Sequence, residues 1–221
     1  MPWIGWLLSA LAGYLLGSVN SSIIVGKVLH GKDVREIGSG NAGATNTLRV
    51  FGKKAAILVL AGDILKGVLA CLTGALIDRL LAGQATDNLG IGMYIAGFTV
   101  VVGHNWPIYF GFRGGKGVLT SAAVLMVFSP LPALCCLALF AVSVLIWKTV
   151  SLGSILAALS FPVFAMLFRE PVQLIVVGSL MAVLILARHH GNIRRLLAGT
   201  ETKITDKKNK EAIEKEAKEP E

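Results

Sequence analysis

The sequence predicts an all-α, polytopic membrane protein of about seven transmembrane helices. Three observations carry that expectation. Only 15% of the residues are charged, against roughly 25% in a soluble domain. Long apolar runs recur along most of the 221-residue chain. These runs are continuous rather than alternating, which favours helices over a membrane barrel.

The first expected span covers 3–25. It could be mistaken for a signal peptide, but it lacks a basic start, and apolar sequence continues beyond Gly17 and Ser18 to Val28. The second, 55–77, carries Asp63 and Lys66 three residues apart. Ionisable groups in a span are costly and usually pair, so mutual pairing is expected. The third is 89–103 and the fourth 118–128. The fourth is short, and Pro130 and Pro132 follow at once. Proline breaks helices, so the chain is divided there. Spans at 131–147, 152–168 and 172–187 complete the seven. From Thr202 the sequence mixes Lys and Glu with few apolar residues. The expectation is one membrane-embedded domain, 1–201, and a flexible charged tail, 202–221.

Charge supports this division. Seven spans gather Lys27, Lys32, Arg35, Arg49, Lys53, Lys54, Arg113, Lys116, Lys148 and the basic-rich tail on one face. The other face receives Arg79 and Arg169. Positive charge collects in cytoplasmic loops, which places the N-terminus outside and the C-terminus inside. The net charge of +8 is then a topology signal. No soluble domain is left to carry nucleic-acid binding. Cys71, Cys135 and Cys136 lie in apolar runs without Cys-x-x-Cys spacing, as small packing residues do.

Three polar segments fall on the expected inner face. The first, 31–49, contains Gly38, Ser39, Gly40, Asn41, Gly43, Thr45, Asn46 and Arg49. Its glycines permit positive φ and offer N–H groups as an anion nest. Its hydroxyls and amides add neutral hydrogen bonds, and Arg35 and Arg49 add planar charge suited to phosphate. The second, 103–120, frames Lys116 with Gly114, Gly115 and Gly117. It is not a Walker A loop, which needs Gly six residues before the Lys and Ser or Thr after it. Those positions hold Phe110 and Gly117. A Gly-framed Lys before a helix remains a good phosphate donor. Trp106, Tyr109, Phe110 and Phe112 have the character of an interfacial aromatic anchor.

The third segment, 188–201, opens at the inner end of the last span. His189 and His190 are adjacent and do not face one way on a helix, so no metal site is expected. His189 and Asn192 can share a face, whereas Arg194 and Arg195 suit a helix-end anchor. Ser151 sits at the same aqueous boundary beside Lys148. These segments supply anion donors without a thiol nucleophile or a carboxylate pair, which fits a site that binds phosphorylated substrates and positions them. A transporter for a phosphorylated solute would want an inverted repeat and broken helices at the midplane; no internal repeat is visible.

Gly38-Ser39-Gly40-Asn41-Ala42-Gly43-Ala44-Thr45-Asn46, Gly114-Gly115-Lys116-Gly117-Val118 and Asn192-Ile193-Arg194-Arg195-Leu196 together resemble the bacterial acyl-phosphate:glycerol-3-phosphate acyltransferase (PlsY) family. The resemblance runs from Trp3 to Glu201. It implies transfer of an acyl group from acyl phosphate to the 1-position of sn-glycerol 3-phosphate, the first step of phospholipid synthesis. It also implies an inner-membrane location with the site toward the cytoplasm, membrane lipids as surroundings, transient contact with a soluble acyl-phosphate synthase, and no cofactor. Carried over by motif position, Ser39, Arg49, Lys116, Ser151, His189 and Asn192 become catalytic. Gly40, Asn41, Thr45, Asn46 and Gly115 become phosphate-binding. The His-x4-Asp motif of other acyltransferases is absent, since Tyr109 and Arg194 stand at the required offset from His104 and His189.

Overall fold

The computed structural model describes residues 2–82 and 90–206. The chain opens with α1 (Pro2–Ser18) and α2 (Ser21–His30). The expected span 3–25 is therefore two helices. Asn20 makes the break: it is extended, and its side chain accepts from the Ile23 amide as an N-cap. The run α3 (Ala44–Ala82) contains the expected 55–77 and is kinked at Gly52, whose φ of 82° only glycine adopts readily. Then come α4 (Ile91–Asn105), α5 (Val118–Phe128), α6 (Pro130–Trp147), α7 (Val150–Leu167), α8 (Val172–Arg188) and α9 (His190–Leu197). Proline divides the chain where expected: Pro130 starts α6 directly after the extended Ser129.

Helices α1, α3 and α4 pack together, as do α6, α7 and α8, with α5 touching members of both groups. Backbones approach closely in the first group. A Cβ at Gly13 would meet the Ala96 backbone, and one at Gly17 would meet the Val100 carbonyl. Such small residues four apart let helices associate in lipid, where apolar burial gives no driving force. Cys71, Val100, Val124, Phe128, Phe161 and Met181 belong to one core that joins the two groups. Leu7, Leu11, Leu145 and Val183 point outward, as lipid-facing residues do.

Among the described residues, four helical runs are long and apolar enough to cross a bilayer: Pro2–His30, Ala44–Leu81, Pro130–Trp147 and Val150–Leu167. A fifth forms if α8 and α9, bent by 62°, count as one. The expected third and fourth spans, now α4 and α5, have only 15 and 11 residues; a full crossing takes about 20. Leu89 lies outside the described residues, as does the tail from 207. The segment just before that tail is not helical, and the Ile204 amide donates to the Lys148 carbonyl at 2.9 Å.

The expected pairing in α3 is present. Lys66 Nζ lies 3.0 Å from Asp63 Oδ1, and both side chains are buried. Lys66 also donates to the Val19 carbonyl at 3.0 Å and to His104 Nδ1 at 2.9 Å. It donates to the Gly17 carbonyl as well, at 3.3 Å. The ammonium therefore satisfies the carbonyls freed where α1 breaks before α2.

Candidate active site

A cavity of about 1030 Å³ opens between the polar segments and runs up between α5, α6, α7 and α8. Ser39, Gly40, Asn41, Thr45, Asn46, Arg49, Lys116, Ser151, His189 and Asn192 all line it. Ten of the eleven expected site residues thus share one surface. Gly115 does not line it. Its N–H donates to the His104 carbonyl at 3.1 Å, and its carbonyl accepts from Arg188 Nε at 3.1 Å. Gly115 anchors the loop through these two bonds.

Asn46 reaches the cavity wall, but its bonding is spent on the loop before α3. Its Oδ1 accepts from the Ser39 amide at 3.0 Å, and its Nδ2 donates to the Val34 and Ile37 carbonyls. The glycine nest read from the sequence is also closed. Gly38 and Gly40 do take positive φ, but the Gly40 and Gly43 amides donate to the Ile37 and Asn41 carbonyls. What this segment presents instead is the start of α3, where Ala44 and Thr45 line the cavity. First-turn amides lack intrahelical acceptors and favour anions.

Arg35 is likewise committed. It clasps Asp33 through Nε at 2.9 Å and Nη2 at 2.7 Å, and its Nη1 donates to the Phe110 and Arg113 carbonyls. The Arg35 hydrogen bond holds the Asp33 carboxyl down at about 2. Arg35 therefore staples the first polar segment to the second. The aromatic anchor divides: Tyr109 and Phe112 are exposed, while Phe110 packs against Ile23, Val34 and Ala42.

At the cavity mouth Lys116 Nζ donates to Asn192 Oδ1 at 2.6 Å. Asn192 Nδ2 donates to Glu201 Oε1 at 2.6 Å, and Ser151 Oγ donates to the same oxygen at 2.7 Å. Arg195 Nε donates to Glu201 Oε2 at 2.7 Å. Sequence reasoning missed Glu201. Its carboxylate shows that these donors already converge on an oxyanion. Burial opposes its charge, but the bonds from Asn192, Ser151 and Arg195 outweigh that and hold its pKa below the usual carboxylate range. Burial brings Lys116 down to about 8; Glu201 opposes the shift, and Arg195, Arg49 and Arg188 add to it. His189 is buried at the bend between α8 and α9, where its Nδ1 lies 2.7 Å from the Ile185 carbonyl. A carbonyl only accepts, so Nδ1 carries the proton and Nε2 is left for other partners.

The other end of the cavity is apolar. Leu125, Met126, Cys136, Leu137, Phe140 and Met181 are among its walls. One void therefore joins a rim rich in hydrogen-bond donors and positive charge to an apolar arm.

Among the described residues the fold is all-helical with runs long enough to cross a bilayer, and a cavity lined by polar donors at one end and apolar side chains at the other places it in the class of membrane enzymes. The family model described as glycerol-3-phosphate acyltransferase matches residues 7–199, and the chain belongs to that family. It is 44% identical to the glycerol-3-phosphate acyltransferase of Thermoanaerobacter sp. (strain X514), over 91% of this chain and 96% of that one. It is 45% identical to that of Clostridioides difficile (strain 630), over 94% and 100%. Among solved structures it resembles PlsY, an integral membrane glycerol 3-phosphate acyltransferase, in its glycerol 3-phosphate form. The TM-score is 0.79 at 36% identity, covering 90% of this chain and 95% of that one. The lysophosphatidic acid form of PlsY matches with TM-score 0.75 at 34% identity, over 90% and 94%.

Proposed function

We propose that the chain transfers an acyl group from acyl phosphate to the 1-hydroxyl of sn-glycerol 3-phosphate, giving lysophosphatidic acid and inorganic phosphate. The observation that carries this reading is a cavity that joins a donor-rich rim to an apolar arm. Ser39, Thr45, Arg49 and Lys116 receive phosphate oxygens, helped by the first turn of α3. Gly40 and Asn41 shape that rim. Ser151, His189 and Asn192 orient the acceptor, and the acyl chain lies along Leu125, Met126 and Met181. That PlsY has solved forms with glycerol 3-phosphate and with lysophosphatidic acid supports the acceptor and the product.

The chemistry of the lining supports acyl phosphate as the donor. Among the described lining residues the cysteine, Cys136, sits in the apolar arm, and the two carboxylates are engaged separately, Asp63 with Lys66 and Glu201 with Arg195, so they offer neither a thiol nucleophile at the rim nor a carboxylate pair. An acyl phosphate needs neither, because phosphate is already a good leaving group. The acceptor oxygen bonds to the acyl carbon, the bond from that carbon to the phosphate oxygen breaks, and the hydroxyl proton passes to phosphate. Lys116 and Arg49 stabilise the charge that develops on the leaving oxygen.

The same reading places seven spans in a bacterial inner membrane, with the N-terminus outside and the rim toward the cytoplasm. There a soluble acyl-phosphate synthase can deliver the donor by transient contact. Residues 1–201 form the catalytic domain. The test supplies purified protein in lipid with labelled glycerol 3-phosphate and, separately, acyl phosphate, acyl-CoA or acyl carrier protein. Only acyl phosphate should give 1-acyl product. Product from acyl-CoA alone would overturn the donor assignment.

A further inference from the structure

Arg188 takes no part in the reaction as written, yet its contacts are specific. It ends α8, half-buried on the cavity wall. Its Nε donates to the Gly115 carbonyl at 3.1 Å and its Nη2 to the Gly114 carbonyl at 3.2 Å. Its guanidinium lies 5.5 Å from the Trp106 ring centroid. The same two glycines donate backward to the end of α4, Gly114 to the Asn105 carbonyl at 3.2 Å and Gly115 to the His104 carbonyl at 3.1 Å. The two peptides just before Lys116 are thus held along both edges.

Neither glycine has a side chain with which to lock itself. Both are needed for the close approach: a Cβ on Gly114 would meet the His104 carbonyl, and one on Gly115 would meet His104 Nε2 and the Ala42 carbonyl. The aim of Lys116 therefore depends on what grips the backbone ahead of it. A planar fork can serve two successive carbonyls while stacking on an indole; an ammonium cannot. Arg188 also directly precedes His189 and lies four residues before Asn192. Its grip ties the Lys116 loop to the element that carries the acceptor-side groups.

We propose that Arg188 is a positioning residue: it clamps the Gly114–Gly115 backbone and so aims Lys116 Nζ at Asn192 and the transferring phosphate. This rests on the acyl-transfer reading for its catalytic consequence, but the clamp itself can be measured without turnover.

The test compares Arg188→Lys and Arg188→Gln with wild type, as full-length protein in lipid. Hydrogen exchange is followed at the Gly114 and Gly115 amides, and steady-state kinetics are measured against glycerol 3-phosphate. Both variants should exchange faster at those amides. Both should lose kcat by roughly 10- to 100-fold, the cost of a slightly misplaced group, with KM little changed. Lys keeps the charge and should fail to rescue, and it serves alone if the Gln variant does not fold. Unchanged exchange overturns the clamp. A Lys variant that recovers what Gln loses, with the loss in KM, also overturns it and makes Arg188 a charge facing phosphate. Wild type inactive with acyl phosphate would refute the reaction, while the exchange data would still decide the clamp.

Discussion

At the scale of residues, Lys116 sets the pH behaviour. In the proposed reaction its ammonium is the active form, and burial lowers its pKa to about 8. The charge is present below that value and lost above it. We expect kcat/KM to fall as pH rises through about 8. Because the nearby Glu201 charge raises the Lys116 pKa, Glu201→Gln should move this limb to lower pH; a pH–rate profile that keeps its limb would contradict that influence. Asn46 makes a second prediction. Asn46→Ala strands the Ser39 amide and the Val34 and Ile37 carbonyls. The variant should lose about 1–3 kcal/mol, read as a lower thermal midpoint, and its KM for glycerol 3-phosphate should rise. Lys116, Ser39 and Asn192 were legible because their motifs are dense and local. Glu201 was not. Its bonds reach back 50 residues to Ser151 and 9 to Asn192, and a Glu heading a Lys- and Glu-rich run looks like any solvated charge. Asn46 and Gly115 were legible as important, but their roles depend on which backbone groups the fold leaves without partners.

At the scale of elements, the helix-breaking residues decided the outcome. Proline was readable, and Pro130 starts α6 where expected. The break before α2 was not, because Ser18, Asn20, Ser21 and Ser22 are small polar residues that a span can carry and apolar sequence resumes after them; in the structure Asn20 caps α2 while Lys66 takes the Gly17 and Val19 carbonyls. The Gly52 kink was equally hidden, since glycine inside a helical pattern signals no fixed dihedral. It separates the first turns of α3, which face the cavity, from the long run that crosses the core. Gly52→Ala has no neighbour to strike, so its cost is conformational alone. About 1–3 kcal/mol is expected for a left-handed position, with activity falling further than stability because the rim moves. Circular dichroism melts beside initial rates would check this, and a variant as active as wild type would show that the kink does not set the rim.

At the scale of the molecule, two helix groups meet around a cavity that is polar at one end and apolar along the other. The buried Asp63, Lys66 and His104 group ties the first helix group to the loop that carries Lys116, through the His104 carbonyl that accepts from Gly115. Lys66→Met removes the ammonium and leaves the Asp63 carboxylate with the Ser21 hydroxyl. Loss of one partner in a buried pair costs roughly 3–5 kcal/mol, so a much lower unfolding midpoint in detergent is expected. The orientation predicted by the charge partition is open to labelling. In a cysteine-free background, a single cysteine at Arg169 should react from outside intact cells and one at Lys148 only after permeabilisation.

The most direct measurement compares wild type with Lys116→Ala, purified side by side in lipid and supplied with acyl phosphate and labelled glycerol 3-phosphate. Wild type should release lysophosphatidic acid and phosphate in equal amounts. The variant should keep its thermal midpoint and lose about 10²–10³-fold in rate, as removal of a charge-stabilising donor does. No product from wild type, or an unchanged rate in the variant, would contradict the account.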